Sequence, residues 1–170
     1  MIDWSTIRHF DRAEWKHDPD RIEPDVVMLL DEQRDAHEQI LPGVRYVIHV
    51  AWDEAGHVEN SGHYTVAREL AVAVDYHMEV VTERDGQQSV TPVPLLEQWL
   101  FAEKFSWNGI GVYPFWNSPG LHCDLRRLGR EHPNLGKRWW RDLDPDPKKA
   151  YKALDRGLLT LVLRQTGGAG

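Results

Sequence analysis

The chain has 170 residues, of which 41% are hydrophobic and 28% charged, and its formal net charge is −7. This length suffices for one domain with a substantial core, and the composition is that of an ordinary globular protein. The acidic balance and the lack of a basic tract argue against nucleic acid or an anionic membrane surface as the main partner. No apolar run approaches the roughly 20 residues that a bilayer-spanning helix needs. The single cysteine, Cys123, excludes an internal disulfide framework.

The N-terminal segment, MIDWSTIRHFDRAEW, lacks a positively charged start followed by an apolar stretch. It therefore does not have the pattern of a signal peptide, and we expect synthesis in the cytoplasm without one.

Hydrophobic spacing predicts the elements of the first half of the chain. After an irregular N-terminal arm, residues 23–40 carry apolar side chains at helical intervals, with a proline suited to the first turn. Residues 44–52 alternate as a strand does, and residues 70–80 predict a second strand after a polar loop.

The second half continues the mixture of helices and strands. Residues 83–88 are typical of a turn, and residues 92–105 predict a second helix. Residues 107–116 and 121–128 predict strands on either side of the turn NSPG. Residues 144–165 have the spacing of an amphipathic helix.

Together these elements predict an α+β fold, with a small, mainly antiparallel sheet and helices packed on it. We expect one domain over residues 1–146, including the N-terminal arm. Residues 147–170 are predicted to form a C-terminal amphipathic helix, a possible partner surface, followed by a frayed tail.

Imidazole and carboxylate groups recur near the ends of two predicted strands. Asp75 and His77 alternate on one strand and therefore share a face, and His122 and Asp124 do the same on another. If the two strands are neighbours, His63, Asp75 and His122 can converge. Two imidazoles and one carboxylate, with a fourth position left open, form a common catalytic zinc site that acidifies a bound water molecule. Spacing alone leaves open the alternative that these are hydrogen-bonded structural residues.

Three segments carry a resemblance to a known family: residues 61–77 (SGH followed by AVAVDYH), residues 109–128 (GIGVYPFWNSPGLHCDLRRL) and residues 137–140 (KRWW). They resemble the zinc peptidases that include D-Ala-D-Ala carboxypeptidases and phage L-alanyl-D-glutamate endolysins, in particular the phage-type members. The resemblance covers roughly residues 8–142 and implies the Hedgehog/DD-peptidase fold.

The family pattern is Ser-x-His, then Ala-x-Asp, then a distant histidine in a strand. Matched to it, Ser61 and His63 take the first part, Asp75 the second and His122 the third. The resemblance thus implies Zn²⁺ bound by His63, Asp75 and His122. It also implies hydrolysis of peptidoglycan stem or cross-link peptides by a phage or prophage product that acts at the bacterial cell wall or in a phage particle.

The sequence departs from the family pattern between the first two ligands. His63 and Asp75 lie twelve residues apart, a longer interval than the pattern has. His57 and His77 are therefore alternative ligands. Asp53 also stands where the family has an arginine that contacts substrate.

The group that transfers the proton is a further departure, because Pro119 occupies its usual place. Asp124, His57 and Glu59 are the candidate catalytic residues, with His77 as a further possibility, since a zinc hydrolase needs a group that takes a proton from water and delivers it to the leaving amine.

Aromatic side chains beside these segments are candidates for the wall of a substrate cleft. They are Trp52, Tyr113 and Trp116, joined by Ser61 as a candidate substrate-binding residue. The alternative function, favoured by Pro119 and Asp53, is a non-catalytic zinc-binding phage structural or cell-wall-binding module on the same fold.

Overall fold

A computed structural model of the chain describes residues 1–16, 18–52, 63, 70–125, 138–143, 150–154 and 157. Within these residues seven strands form one sheet. The strands are β1 (Val44–Val50), β2 (Ala73–Arg84), β3 (Gln87–Pro92), β4 (Gly109–Tyr113), β5 (Gly120–Asp124), β6 (Arg138–Arg141) and β7 (Tyr151–Ala153).

The sheet runs in the order β1-β2-β5-β4-β6-β7, and β3 extends it as a second partner of β2. Every pair is antiparallel except β4 and β6, which run parallel. The predicted α+β class with a mainly antiparallel sheet is therefore confirmed.

Two α-helices lie in the described residues, α1 (Pro24–Glu38) and α2 (Leu95–Ala102). Pro24 occupies the first helical position of α1, where its missing N–H costs no hydrogen bond. Val26, Val27 and Leu30 of α1 are fully buried in the main core. At roughly 1.5–3 kcal/mol for each large apolar side chain, this burial does more to hold α1 in place than its intrinsic propensity does.

The two faces of the sheet differ in chemistry because side chains alternate along each strand. One face is apolar and packs on the helices through residues such as Tyr46, Tyr76 and Met78. The other face carries imidazoles and carboxylates, which come mainly from β2 and β5. This second face holds the candidate site.

A hydrogen-bonded network crosses the core between α1 and the sheet. The buried Gln33 side chain donates from Nε2 to the hydroxyls of Tyr46 (3.2 Å) and Tyr76 (2.9 Å), and its Oε1 accepts from Trp107 Nε1 (2.7 Å). His37 Nδ1 lies 3.1 Å from the Tyr46 hydroxyl. These bonds satisfy polar groups that would otherwise destabilise the core.

The N-terminal arm contains short 3-10 helices and is fixed to the rest of the fold both at α1 and just before β2. Asp31 of α1 accepts hydrogen bonds from the backbone N–H groups of Arg8 and His9. Ile22 forms a parallel bridge with Ala71, just before β2. The arm therefore anchors the segment that leads into β2.

Hairpin geometry explains the turn that the sequence predicted after β2. Asp85 and Gly86 both have positive φ, 54° and 74°, as a two-residue primed turn requires. They join β2 to β3, a strand that the sequence did not predict.

The prediction of a helix through residues 151–153 is wrong. Tyr151, Lys152 and Ala153 form β7 and pair with β6 in antiparallel register. Strand β7 lies within residues 147–170, the segment predicted to form a C-terminal helix and tail. Residues 144–149, 155–156 and 158–170, which make up most of the predicted helix and tail, lie outside the described residues.

Among the described residues, no helix combines the length and apolar character needed to cross a membrane.

Candidate metal centre

The centre is built on two adjacent strands and one residue of the preceding segment. Asp75 on β2 and His122 on β5 are directly opposite in the antiparallel register. Opposed residues project to the same face with neighbouring Cβ atoms. His63 completes the group, so the predicted convergence of His63, Asp75 and His122 is confirmed.

Three ligand atoms meet at the centre. The Oδ1 atom of Asp75 lies 2.7 Å from His122 Nδ1 and 3.0 Å from His63 Nε2, and the two histidine nitrogens are 3.0 Å apart. All three side chains are buried, with 2% of His63, 8% of Asp75 and 6% of His122 exposed. This group of residues could hold a metal ion.

The outer nitrogen of each imidazole is held by an oxygen that can only accept. His63 Nδ1 lies 3.2 Å from the backbone oxygen of Ala51, and His122 Nε2 lies 3.2 Å from Oδ2 of Asp124. When the rings are neutral, each therefore donates its N–H outward and turns a lone pair inward. Three electron-rich atoms then face one another, an arrangement that needs a shared cation, either a proton or a metal ion.

The pKa directions agree with that requirement. Burial opposes the charged form of His122, but Asp75 and Asp124 outweigh it and raise the pKa of His122 to about 9. Burial likewise opposes ionisation of Asp75, but His63 and His122 outweigh it and hold the pKa of Asp75 well below its ordinary value. Asp75 is therefore anionic, and without a metal ion the cluster retains a proton.

The ligand atoms also fit the dimensions of a metal site. Zinc binds nitrogen and oxygen at about 2.0–2.2 Å, so two ligand atoms of a tetrahedral shell lie about 3.3–3.5 Å apart. The observed separations of 2.7 to 3.0 Å need to widen by about 0.3–0.8 Å to reach these values. Two imidazoles and a carboxylate suit zinc and several other divalent transition metals.

Two glycines of β4 make room for the side chains around His122. A Cβ on Gly109 would lie 2.5 Å from Oδ2 of Asp124, and a Cβ on Gly111 would lie 2.3 Å from Nε1 of Trp139. The Trp139 ring in turn lies 5.4 Å from the His122 ring. The Gly-x-Gly of β4 therefore lets Asp124 bond to His122 and Trp139 pack beside it.

Aromatic rings extend from the centre along the same face. Tyr113 stacks on Trp116 with ring centroids 4.2 Å apart, and its ring is 6.4 Å from that of His122. Trp116 also meets His49 edge to face at 6.3 Å. The predicted wall residues Tyr113 and Trp116 thus lie beside the centre.

Trp52, the third predicted wall residue, stacks under the Arg21 guanidinium at 4.7 Å. It is next to Ala51, whose carbonyl oxygen holds His63.

The other predicted site residues have different outcomes. Asp124 is 2% exposed and bonds to the outer nitrogen of His122, a position that orients the ligand rather than one open to a substrate. His57, Glu59 and Ser61, like Asp53, lie outside the described residues.

The alternative ligand His77 is not part of the cluster. Its ring nitrogens lie 2.6 Å from His49 Nε2 and 3.0 Å from Glu79 Oε1. His49 is not among the site residues predicted from the sequence. The available signal was its position on the second face of β1, opposite the β2 residues that carry the site.

No family model matches the chain, and no curated protein and no solved structure matches it.

Proposed function

We propose that the chain is a zinc-dependent metallopeptidase that hydrolyses peptidoglycan stem or cross-link peptides, of the D,D-carboxypeptidase or endopeptidase type. The observation that carries the proposal is that His63 Nε2, Asp75 Oδ1 and His122 Nδ1 lie close together in buried side chains. The order of these ligands and the flanking segments resemble the zinc peptidase family, which supplies the substrate class and the phage or prophage origin.

The site's protein groups have separable tasks in this function. Zinc held by His63, Asp75 and His122 would supply a Lewis acid that polarises the scissile carbonyl and acidifies water. Ala51 and Asp124 hold the two imidazoles with their lone pairs turned inward.

The partly exposed Trp116, which stacks on the buried Tyr113 ring, offers flat apolar surface at the edge of the centre. This surface would limit the access of bulk water and orient an extended peptide. Polar partners at the centre and apolar walls around it are the usual composition of a small-ligand site.

Two measurements test the proposal. The purified chain is equilibrated with zinc and dialysed, and its metal content is determined; we expect one ion per chain, and less than about half an ion would refute the metal site. The zinc-loaded chain is then incubated with purified cell walls, and released peptides are identified by mass spectrometry. Chelator should abolish the release, and added zinc should restore it.

A non-catalytic zinc-binding module of a phage structural or wall-binding protein is the second candidate. It is favoured by Pro119, which occupies the place of the family's proton-transfer group. The same incubation separates the two functions, because a binding module would sediment with cell walls without releasing peptides.

A further inference from the structure

Beside the metal centre, four polar side chains form a continuous hydrogen-bonded row across β1 and β2. Arg45 Nη2 lies 2.6 Å from Glu79 Oε2, and Glu79 Oε1 lies 3.0 Å from His77 Nε2. His77 Nδ1 then lies 2.6 Å from His49 Nε2. Because Asp75, His77 and Glu79 alternate along β2, this row of side chains lies on the same face as the metal ligands.

Glu79 fixes the directions of the hydrogen bonds along this row of side chains. The Glu79 carboxylate can only accept, so His77, when its ring is neutral, donates from Nε2 and keeps a lone pair on Nδ1. His49 must therefore donate from its own Nε2. The Nδ1 atom of His49 then carries a lone pair, and no group among the described residues bonds to it.

A bulge in β1 that contains His49 lies opposite Asp75 of the centre. Ile48 pairs with Tyr76 and Val50 pairs with Asp75, so His49 is the extra residue between two consecutive partners. Bulges redirect side chains and recur next to active sites. The half-buried His49 ring also meets Trp116, which stacks on Tyr113 beside the centre.

We propose that His49 is the proton-transfer group of this site and that His77 and Glu79 hold it in the tautomer that accepts a proton. The proposal rests on the proposed peptidase function. It explains how the site can transfer a proton although residue 119 is proline and Asp124 is already bonded to His122.

The reaction balances as an ordinary peptide hydrolysis. The oxygen of a water molecule adds to the scissile carbonyl carbon while one of its protons passes to Nδ1 of His49. That proton then goes to the amide nitrogen as the C–N bond breaks, and the amine leaves. The second proton leaves the new carboxyl group and completes the ammonium form of the amine, so His49 returns to its starting state.

The charges around His49 favour a neutral ring that is ready to accept a proton. Burial lowers the pKa of His49, and nearby His77 and Lys16 lower it further. The carboxylates of Asp75 and Glu79 act in the opposite direction. Glu79 reaches His49 through His77, so it can stabilise the positive charge that develops when His49 takes up the proton.

The test compares His49→Gln with His9→Gln, a control histidine bonded to Asp35 on the N-terminal arm. Both variants should bind one zinc ion per chain. General acid–base groups contribute about 10²–10⁴-fold to rate, so His49→Gln should lower kcat by that factor while His9→Gln stays within about twofold. The fall in kcat/KM at acidic pH should also disappear in His49→Gln. Glu79→Gln should give an intermediate kcat.

A second readout does not depend on activity. Ring-nitrogen NMR spectra of the zinc-loaded chain should show His49 protonated at Nε2 and unprotonated at Nδ1. A His49→Gln variant that binds zinc and keeps wild-type kcat, or a His49 ring protonated at Nδ1 at neutral pH, would overturn the proposal while leaving the peptidase function standing. Wild-type protein that binds zinc but releases no peptide would refute the peptidase function, and the role of His49 with it.

Discussion

Replacing Asp75 with asparagine removes the charge that joins the two histidines while keeping the side-chain shape. Asp75 and Asp124 raise the pKa of His122 from the ordinary 6.5 to about 9. A shift of that size corresponds to about 3 kcal/mol of interaction, and Asp75 carries the larger part of it. Because the folded pKa is the raised one, this stability is fully present below pH 6.5 and is lost as the pH rises toward 9.

Metal-free Asp75→Asn should therefore unfold at a lower temperature than the wild type at pH 6. For a domain of this size, the larger part of about 3 kcal/mol corresponds to a fall in Tm of roughly 3–12 °C. The difference should shrink at pH 9 and above. Differential scanning calorimetry in the presence of chelator measures both values.

Zinc should separate the two proteins further. A ligand at about 1,000 times its Kd stabilises the folded state by about 4 kcal/mol, and the variant should lose most of that increment. Asp31→Asn is the matched control, because Asp31 is also a buried carboxylate but bonds to the backbone of the N-terminal arm. It should lower Tm and retain the zinc increment. An Asp75→Asn protein with wild-type Tm at pH 6 and an unchanged zinc increment would refute the assignment of the centre.

Two other changes test the structure around the site. Gly111→Ala places a Cβ 2.3 Å from Trp139 Nε1, so the Trp139 ring or the strands must shift; we expect a loss of about 1–3 kcal/mol in urea unfolding, and an unchanged midpoint would contradict the packing. Burial lowers the pKa of His37 to about 4, where its neutral ring faces the Tyr46 hydroxyl and stacks on Phe101. Stability should therefore fall by at most about 3 kcal/mol as the pH drops from 6.5 to 4, and His37→Gln should flatten this dependence.

Elements with a strong local pattern were predictable from the sequence, and elements defined by their partners were not. Both α-helices and strands β1, β2, β4 and β5 follow apolar spacing. All six residues of β3 are exposed, so it lacks the alternation that signals a strand. In β7, pairing with β6 overrides the helical spacing of the surrounding residues.

Some residues of the candidate site were likewise predictable from the sequence, and others were not. Strand alternation and the order of the motif were enough to nominate His63, Asp75 and His122. The pairing of His49 with His77 depends on the register of β1 against β2 and on a bulge, which a single sequence does not reveal. The tasks of Gly109 and Gly111 likewise become visible only once β4 lies beside its neighbours.

The candidate metal ligands Asp75 and His122 alternate with residues of the core on the same two strands. Asp75 precedes Tyr76, and His122 precedes Cys123, whose sulfur lies 3.4 Å from the Tyr76 hydroxyl on the opposite face. A one-residue insertion in β5 ahead of His122 would exchange the faces, so that His122 would turn into the core and Cys123 would turn to the face of the centre. A two-residue insertion would restore the facing but displace His122 by about 7 Å along the strand. Insertions and deletions in these strands are therefore far more damaging than most single substitutions, and natural variation in length should be confined to the connections between them.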